Sequence, residues 1–250
     1  MDRDMEQYSK NYANNEHDFE NVMVVMRRKK ILDILRKYNP KNILEIGCGM
    51  DSLFNYYTSY NHFTIVEPAL KFFNKACEDA QNNLKITLIN DFLENQVLDL
   101  QKEKFDFIIC SSLLHEIKNP KEFLKQIHFL ADEKCLIHIN VPNSKSFHLI
   151  WAYKSGLIKQ LGKLSDTAKT LQQNTTFDLD SLIDMIKDSG DRYMKILNKG
   201  SYFIKPFNHA KMSQCLKENI LNDELLDGLY SMVEYMPEMG AEIYVNYKIS

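Results

Sequence analysis

The sequence predicts an α/β protein built on a doubly wound, mostly parallel sheet of seven strands. Three observations carry that prediction. Five short apolar runs follow one another between residues 42 and 141: "NILEI", "FTIVE", "KITLI", "FDFIIC" and "CLIHINV". They are continuous rather than alternating, as expected for strands buried on both faces of a parallel sheet. Helix-like segments separate them, near 51–60, 69–81, 92–101 and 119–131, and that alternation marks βα crossovers. Finally, a glycine turn, Gly47-Cys48-Gly49, stands directly after the first run, where small residues let a ligand approach the backbone.

Residues 1–18 are polar and form an N-terminal arm, with Tyr8 and Tyr12 four apart as candidates for a lid over a site. From Phe19 to Leu35 apolar residues recur at helical spacing, and Pro40 lies just beyond. Residues 19–142 then carry the five strands and their crossovers. The regularity stops after Pro142. "SKSFHLIWAYKSGLIKQLGKL" is amphipathic and helical, and "DLDSLIDMIKDSG" predicts a helix with an Asp N-cap and Gly190 as its stop. Residues 143–190 are therefore expected to be a helical insertion after strand five. "YMKILNKGSYFIKPF" predicts a strand or hairpin, residues 207–235 two more helices, and "GAEIYVNYKI" a closing strand, so that 191–250 complete the sheet. With no internal repeat and no low-complexity linker, residues 1–250 make one domain.

A net charge of −3 provides no broad basic surface, which argues against nucleic acid as the main partner. The five cysteines are scattered, with no CxxC and no zinc spacing to histidine, so they predict reduced, mostly buried thiols and no metal site. The charged start "MDRDMEQYSK" is no signal peptide, and no apolar run is long enough to span a bilayer. A cytoplasmic protein with a small-molecule partner and no membrane association is expected; the oligomeric state stays open.

The glycine turn admits two cofactor classes. A dinucleotide fold wants GxGxxG, with a third glycine at position 52, and Ser52 stands there. Asp51 and Ser52 suit the N-cap of a following helix instead. The run Glu45-Ile46-Gly47-Cys48-Gly49-Met50-Asp51 resembles the first motif of the class I, Rossmann-like, S-adenosylmethionine (SAM)-dependent methyltransferases, an acid two residues before GxGxG, lacking only the last glycine. The resemblance extends over about residues 19–142. It implies that Glu45 helps hold the methionyl ammonium, with Asp51 either capping the helix or sharing that task. It further implies that Glu67 and Pro68, ending "TIVEP", sit at the ribose and that Asp91 meets the adenine amino group with Phe92 packed on the ring. Ser111, in "FDFIICSSLLHEIKNP", would lie beside the methyl group.

Later segments, "INVPNSKSFHLI", "GSYFIKPF" and "PEMGAEIYV", resemble a subgroup found near bacterial sugar and capsule genes. That looser resemblance implies O-methylation of a sugar, phosphate or phosphoramidate precursor. N-methylation of a small amine, a quinone-like aromatic acceptor and a non-catalytic SAM-binding scaffold stay open, as does an NAD-dependent oxidoreductase. His115 and His148 are the candidate catalytic groups, since an imidazole titrates near neutral pH. Asn140 and Asn143, flanking Pro142, and Arg27 and Lys205 are candidate acceptor contacts, the two cations for an anionic acceptor. His138, alternating with apolar neighbours in the fifth strand, is expected to be a core residue.

Overall fold

The computed structural model describes residues 5–6, 19–164 and 172–250. The expected lid residues Tyr8 and Tyr12 lie outside the described residues. The chain forms α1 (Phe19–Tyr38), β1 (Asn42–Ile46), β2 (His62–Val66), α2 (Leu70–Ala80), β3 (Ile86–Ile89), α3 (Leu93–Leu100), β4 (Phe107–Ser111), α4 (Pro120–Leu130) and β5 (Leu136–Pro142). There follow α5 (Phe147–Lys154), α6 (Leu179–Asp188), β6 (Met194–Tyr202), α7 (His209–Lys217), α8 (Asp223–Ser231) and β7 (Glu242–Ile249).

The seven strands form one sheet in the order β3-β2-β1-β4-β5-β7-β6. Strands β1 to β5 are parallel, and β7 runs antiparallel to both β5 and β6. The expected doubly wound, mostly parallel sheet is thus the observed one. Its strands read as continuous apolar runs because both faces are covered. One face packs Leu44, Ile46, Ile108, Ile137 and Ile139 against α3, α4 and α6 through Leu93, Phe123 and Leu182. The other packs Ile43, Phe63, Ile65 and Phe107 beneath α1, α2, α7 and α8 through Leu35, Ala76, Met212 and Leu226.

Two predicted helices are corrected. The segment 51–60 holds only a single 3-10 turn, Leu53–Asn55. Its residues "NYYTSYN" are poor helix formers, and they pack as separate anchors, Tyr57 and Tyr60 being buried and the Tyr57 hydroxyl donating to the Pro40 carbonyl at 3.0 Å. The long helix expected over 144–164 stops at Lys154, with Ser155 as its C-cap and Gly156 in the left-handed region at φ 74°. By contrast, α6 begins as expected: Asp178 caps it in a reciprocal box with Ser181. The segment "YMKILNKGSYFIKPF" forms one bulged strand, β6, paired with β7 rather than folded on itself. No described helix is long and apolar enough to cross a membrane.

Candidate active site

Because β1 to β5 are parallel, their carboxyl ends share one edge of the sheet. β6 is parallel to β5, so Tyr202 ends it at that edge, and antiparallel β7 begins there with Glu242. Loops leaving this edge, with α1 and α5, wall a cavity of about 1020 Å³. Of the candidate residues, Glu45, Gly47, Gly49, Asp51, Glu67, Pro68, Phe92, Ser111, His115, His148, Arg27, Asn143 and Lys205 line it. Asp91 and Asn140 do not.

The glycine turn is the cavity floor beside β1. Gly47 and Gly49 take φ of 75° and 59°, a region in which a side chain is strained. Gly47 N–H donates to the Val66 carbonyl at 2.9 Å, locking the turn to β2. Glu67, at the exit of β2, fixes it from the other side. Its Oε2 accepts the Gly49 N–H at 3.2 Å and its Oε1 the Ala69 N–H at 2.8 Å. Burial raises the Glu67 carboxyl above its ordinary range, against the lowering effect of those backbone donors.

Glu45 is buried in β1 and accepts from the Ser52 hydroxyl and, at 3.3 Å, from the Leu53 N–H. Burial pushes its carboxyl up to about 8. The hydroxyl of Ser52 is therefore spent on Glu45, and the N-cap expected from Asp51 and Ser52 does not form, since the α-helix it would start is absent. Asp51 instead pairs with Arg28 of α1 and accepts from the Tyr56 hydroxyl at 2.6 Å and Asn55 Nδ2 at 3.2 Å. Asp91 turns back onto α3, accepting from Phe92 N–H at 2.8 Å, Asn95 Nδ2 at 2.7 Å and Gln96 Nε2 at 2.7 Å. These side-chain donors hold its carboxyl below the ordinary range.

The opposite wall is polar. Arg27 Nε donates to the two oxygens of Glu242 at 3.0 and 3.1 Å. The same carboxylate accepts from Asn140 Nδ2 at 2.7 Å and from the Tyr202 hydroxyl. Asn140 is thus fully buried structure rather than an open acceptor contact, with His138 Nε2 3.2 Å from its Oδ1. His138 is buried as expected, but within this polar network; burial lowers its pKa to about 4. Asn143 donates to the Glu238 and Gly240 carbonyls at 2.8 and 2.9 Å, pinning the approach to β7.

His115 sits in a 3-10 turn, Leu114–Glu116, whose carbonyl at His115 accepts from Asn174 and Thr175 N–H at 2.9 and 3.1 Å. His148 lies in the first turn of α5, with Nδ1 3.1 Å from Ser146 Oγ. Burial first, then the positive charge of Lys205 and the proximity of His209, push its pKa down to about 2, so its ring is neutral. Lys205 is buried, with Nζ 3.1 Å from His209 Nδ1, and His209 Nε2 lies 3.1 Å from Glu20 Oε2.

Glu20, His209 and Glu242 are wall residues that sequence reasoning missed. They open α1, α7 and β7; Glu20 and His209 belong to no motif, and the available signal for Glu242 was a lone acid at the head of the apolar run "EIYV" within "PEMGAEIYV". The apolar rim, where Trp151 and Phe207 meet at 5.4 Å between ring centres, was equally silent.

Residues 21–192 match the model of a family described as a methyltransferase domain. No curated protein sequence matches the chain. Among solved structures it is similar to the plantazolicin methyltransferase BamL, in complex with a triazolic desmethylPZN analogue and S-adenosylhomocysteine. The identity is 16%, with a TM-score of 0.58, over 93% of this chain and 87% of that one. It is also similar to the N-methyltransferase NodS of Bradyrhizobium japonicum WM9 (10% identity, TM-score 0.57, 92% and 98% covered). A third likeness is to a SAM-dependent methyltransferase of Thermotoga maritima described as a possible histamine N-methyltransferase (16%, 0.56, 92% and 94%).

At these identities the likeness is one of fold, the Rossmann-like methyltransferase fold expected from the glycine motif. SAM stands as the expected methyl donor, and its product, S-adenosylhomocysteine, is bound by BamL. With the family match running over well more than half of its length, the chain belongs to the methyltransferase domain family.

Proposed function

We propose that this chain moves the methyl group of SAM onto an oxygen of a small polar acceptor, a sugar, phosphate or phosphoramidate precursor of capsule or surface polysaccharide. One observation carries the reading: a single cavity joins the glycine turn to a polar wall built by α1, α5, α7 and β7. SAM, when bound, supplies a methyl group on a sulfonium, a good leaving group. The protein's part is alignment, exclusion of water and care of the acceptor's proton.

The residues present fit such a donor. Gly47 and Gly49 expose backbone in a conformation that needs glycine, and Glu67 places a carboxyl beside them for ribose hydroxyls. Phe92 and Leu93 offer an apolar face for a base, and the carboxyls of Glu45 and Asp51 supply acceptor oxygens near the turn. Leu149, Ala152 and Ile158 of the insertion add apolar surface to the same cavity.

The sugar reading is supported by the three segments that resemble the capsule-associated subgroup. Each contributes to the wall: Asn143 and His148 from the first, Lys205 from the second, Glu242 from the third. An anionic acceptor is supported by Lys205, whose amino group meets no carboxylate directly among the described residues, whereas the Arg27 guanidinium is engaged by Glu242. N-methylation of a small amine is the second reading, favoured by the carboxylates of Glu20 and Glu242 on the same wall.

The test is calorimetry with S-adenosylhomocysteine, followed by a screen for its formation from SAM with sugars, sugar phosphates, phosphoramidates and small amines. Turnover on a hydroxyl or phosphate oxygen is the expected result. Turnover on amines alone selects the second reading, binding with no turnover favours a scaffold, and no binding at millimolar ligand ends the methyltransferase reading.

A further inference from the structure

Resting on the methyl-transfer reading above, we propose that Glu20, His209 and Lys205 form a proton relay, with the Lys205 amine taking the proton of the acceptor's hydroxyl as the methyl group arrives. All three residues line the cavity, and they come from α1, α7 and the loop after β6.

The hydrogen bonds run in one direction. Lys205 Nζ is 3.1 Å from His209 Nδ1, and because the Glu20 carboxylate on the far side of the ring can only accept, Nδ1 is the bare nitrogen that accepts from Lys205. The ring proton then sits on Nε2, which donates to Glu20 Oε2 at 3.1 Å. A carboxylate on the far nitrogen stabilises an imidazolium when the near nitrogen gains a proton. The ring is held in place by the edge of Phe19, whose centre is 5.8 Å away at 76°. The loop that delivers Lys205 is strained: Phe203, fully buried, takes φ of 59°, a costly conformation for an aromatic residue. Ile204 N–H to the Leu229 carbonyl at 2.9 Å and Ala241 N–H to the Phe203 carbonyl at 2.7 Å hold that bend, which turns Lys205 inward.

The charges around Lys205 are balanced. Facing it are Glu20 and Arg27 from α1, His148 from α5, His209 from α7 and Glu242 from β7. Burial brings its pKa down to about 8, while Glu20 and Glu242 act to raise it. A neutral amine is therefore accessible near physiological pH.

In the transfer, the hydroxyl oxygen forms a bond to the methyl carbon, the carbon–sulfur bond breaks, and its electron pair leaves with sulfur. The hydroxyl proton goes to the Lys205 lone pair. Lys205 passes a proton to His209 Nδ1, and Glu20 balances the imidazolium until the proton reaches water.

The test uses the full chain labelled at lysine Cε with 13C and at histidine with 15N, titrated by NMR in the presence of SAM or of S-adenosylhomocysteine. Lys205→Arg, or triple-resonance assignment where that variant does not fold, identifies the signal. The expected midpoint of Lys205 is below the ordinary lysine range with S-adenosylhomocysteine. With SAM it should be lower by about one unit, the order expected for one added positive charge within ~10 Å. His209 is expected as the Nε2–H tautomer, and Glu20→Gln should lower the Lys205 midpoint further. Equal midpoints with SAM and S-adenosylhomocysteine, or an Nδ1–H His209, would overturn the relay and leave the methyltransferase reading intact. Failure of both SAM and S-adenosylhomocysteine to bind would overturn that reading and the relay with it.

Discussion

Replacing Arg27 with methionine is expected to cost about 3–5 kcal/mol of folding stability at pH 7.5, the range for stranding a buried charge. Glu242 is only 2% exposed, and its carboxylate is satisfied by Arg27, Asn140 and Tyr202 together. Burial alone pushes the Glu242 carboxyl up, and Arg27, helped by Tyr202 and Asn140, overcomes it and holds the group below its ordinary range. In the wild type the pair therefore contributes stability above the unfolded carboxylate pKa, and loses it as pH falls through the folded value. In Arg27→Met the folded pKa rises above the unfolded one. The penalty then appears as pH rises through that new value and fades toward about pH 4.

Urea unfolding followed by circular dichroism at pH 7.5 and 4.5 reads both numbers. At roughly 2–4 °C per kcal/mol for a chain of this size, the melting temperature should fall by about 6–20 °C at the higher pH. Arg27→Met combined with Glu242→Gln should recover a large part of the loss, because no charge is left buried. A deficit below about 1 kcal/mol, the scale of an exposed ion pair, or one independent of pH, would refute the reasoning.

Glu67→Ala frees the Gly49 and Ala69 N–H groups and removes the carboxyl at the glycine turn. S-adenosylhomocysteine affinity should fall about tenfold or more by calorimetry, and an unchanged affinity would remove Glu67 from the site. Gly240→Ala places a Cβ 2.5 Å from the Tyr202 backbone, just before β7. It should destabilise by about 1–3 kcal/mol in the same unfolding assay, while a neutral effect would mean that β7 shifts freely. His148→Ala should lower turnover without removing a limb of the pH profile between 5 and 8, because the ring already titrates at about 2. Loss of such a limb would make His148 a proton carrier.

Much of the sheet was legible because continuous apolar runs and short polar breaks are local signals. The glycine turn with its preceding Glu45, the acid ending β2 and the Asp178 cap were legible for the same reason, each resting on neighbours within a few residues. Where the local signal was weak, it misled. The stretch 51–60 has the length of a crossover helix, yet its tyrosines anchor separately and Ser52 turns to Glu45. Asp91 stands where the family's adenine contact is expected, yet Asn95 and Gln96, one turn on, draw its carboxylate to α3.

By itself, then, the sequence determined the class of fold, the positions of its first five strands and the glycine turn, through periodicity and spacing that act within one turn or one strand. Only the tertiary structure decided the acceptor wall. Arg27 meets Glu242 across 215 positions and Glu20 meets His209 across 189. Such pairs carry no sequence period, because they form where β7 and α7, late in the chain, come back against its first helix. There burial makes an unpaired charge costly, and the carboxylate of Glu242 is met by Arg27.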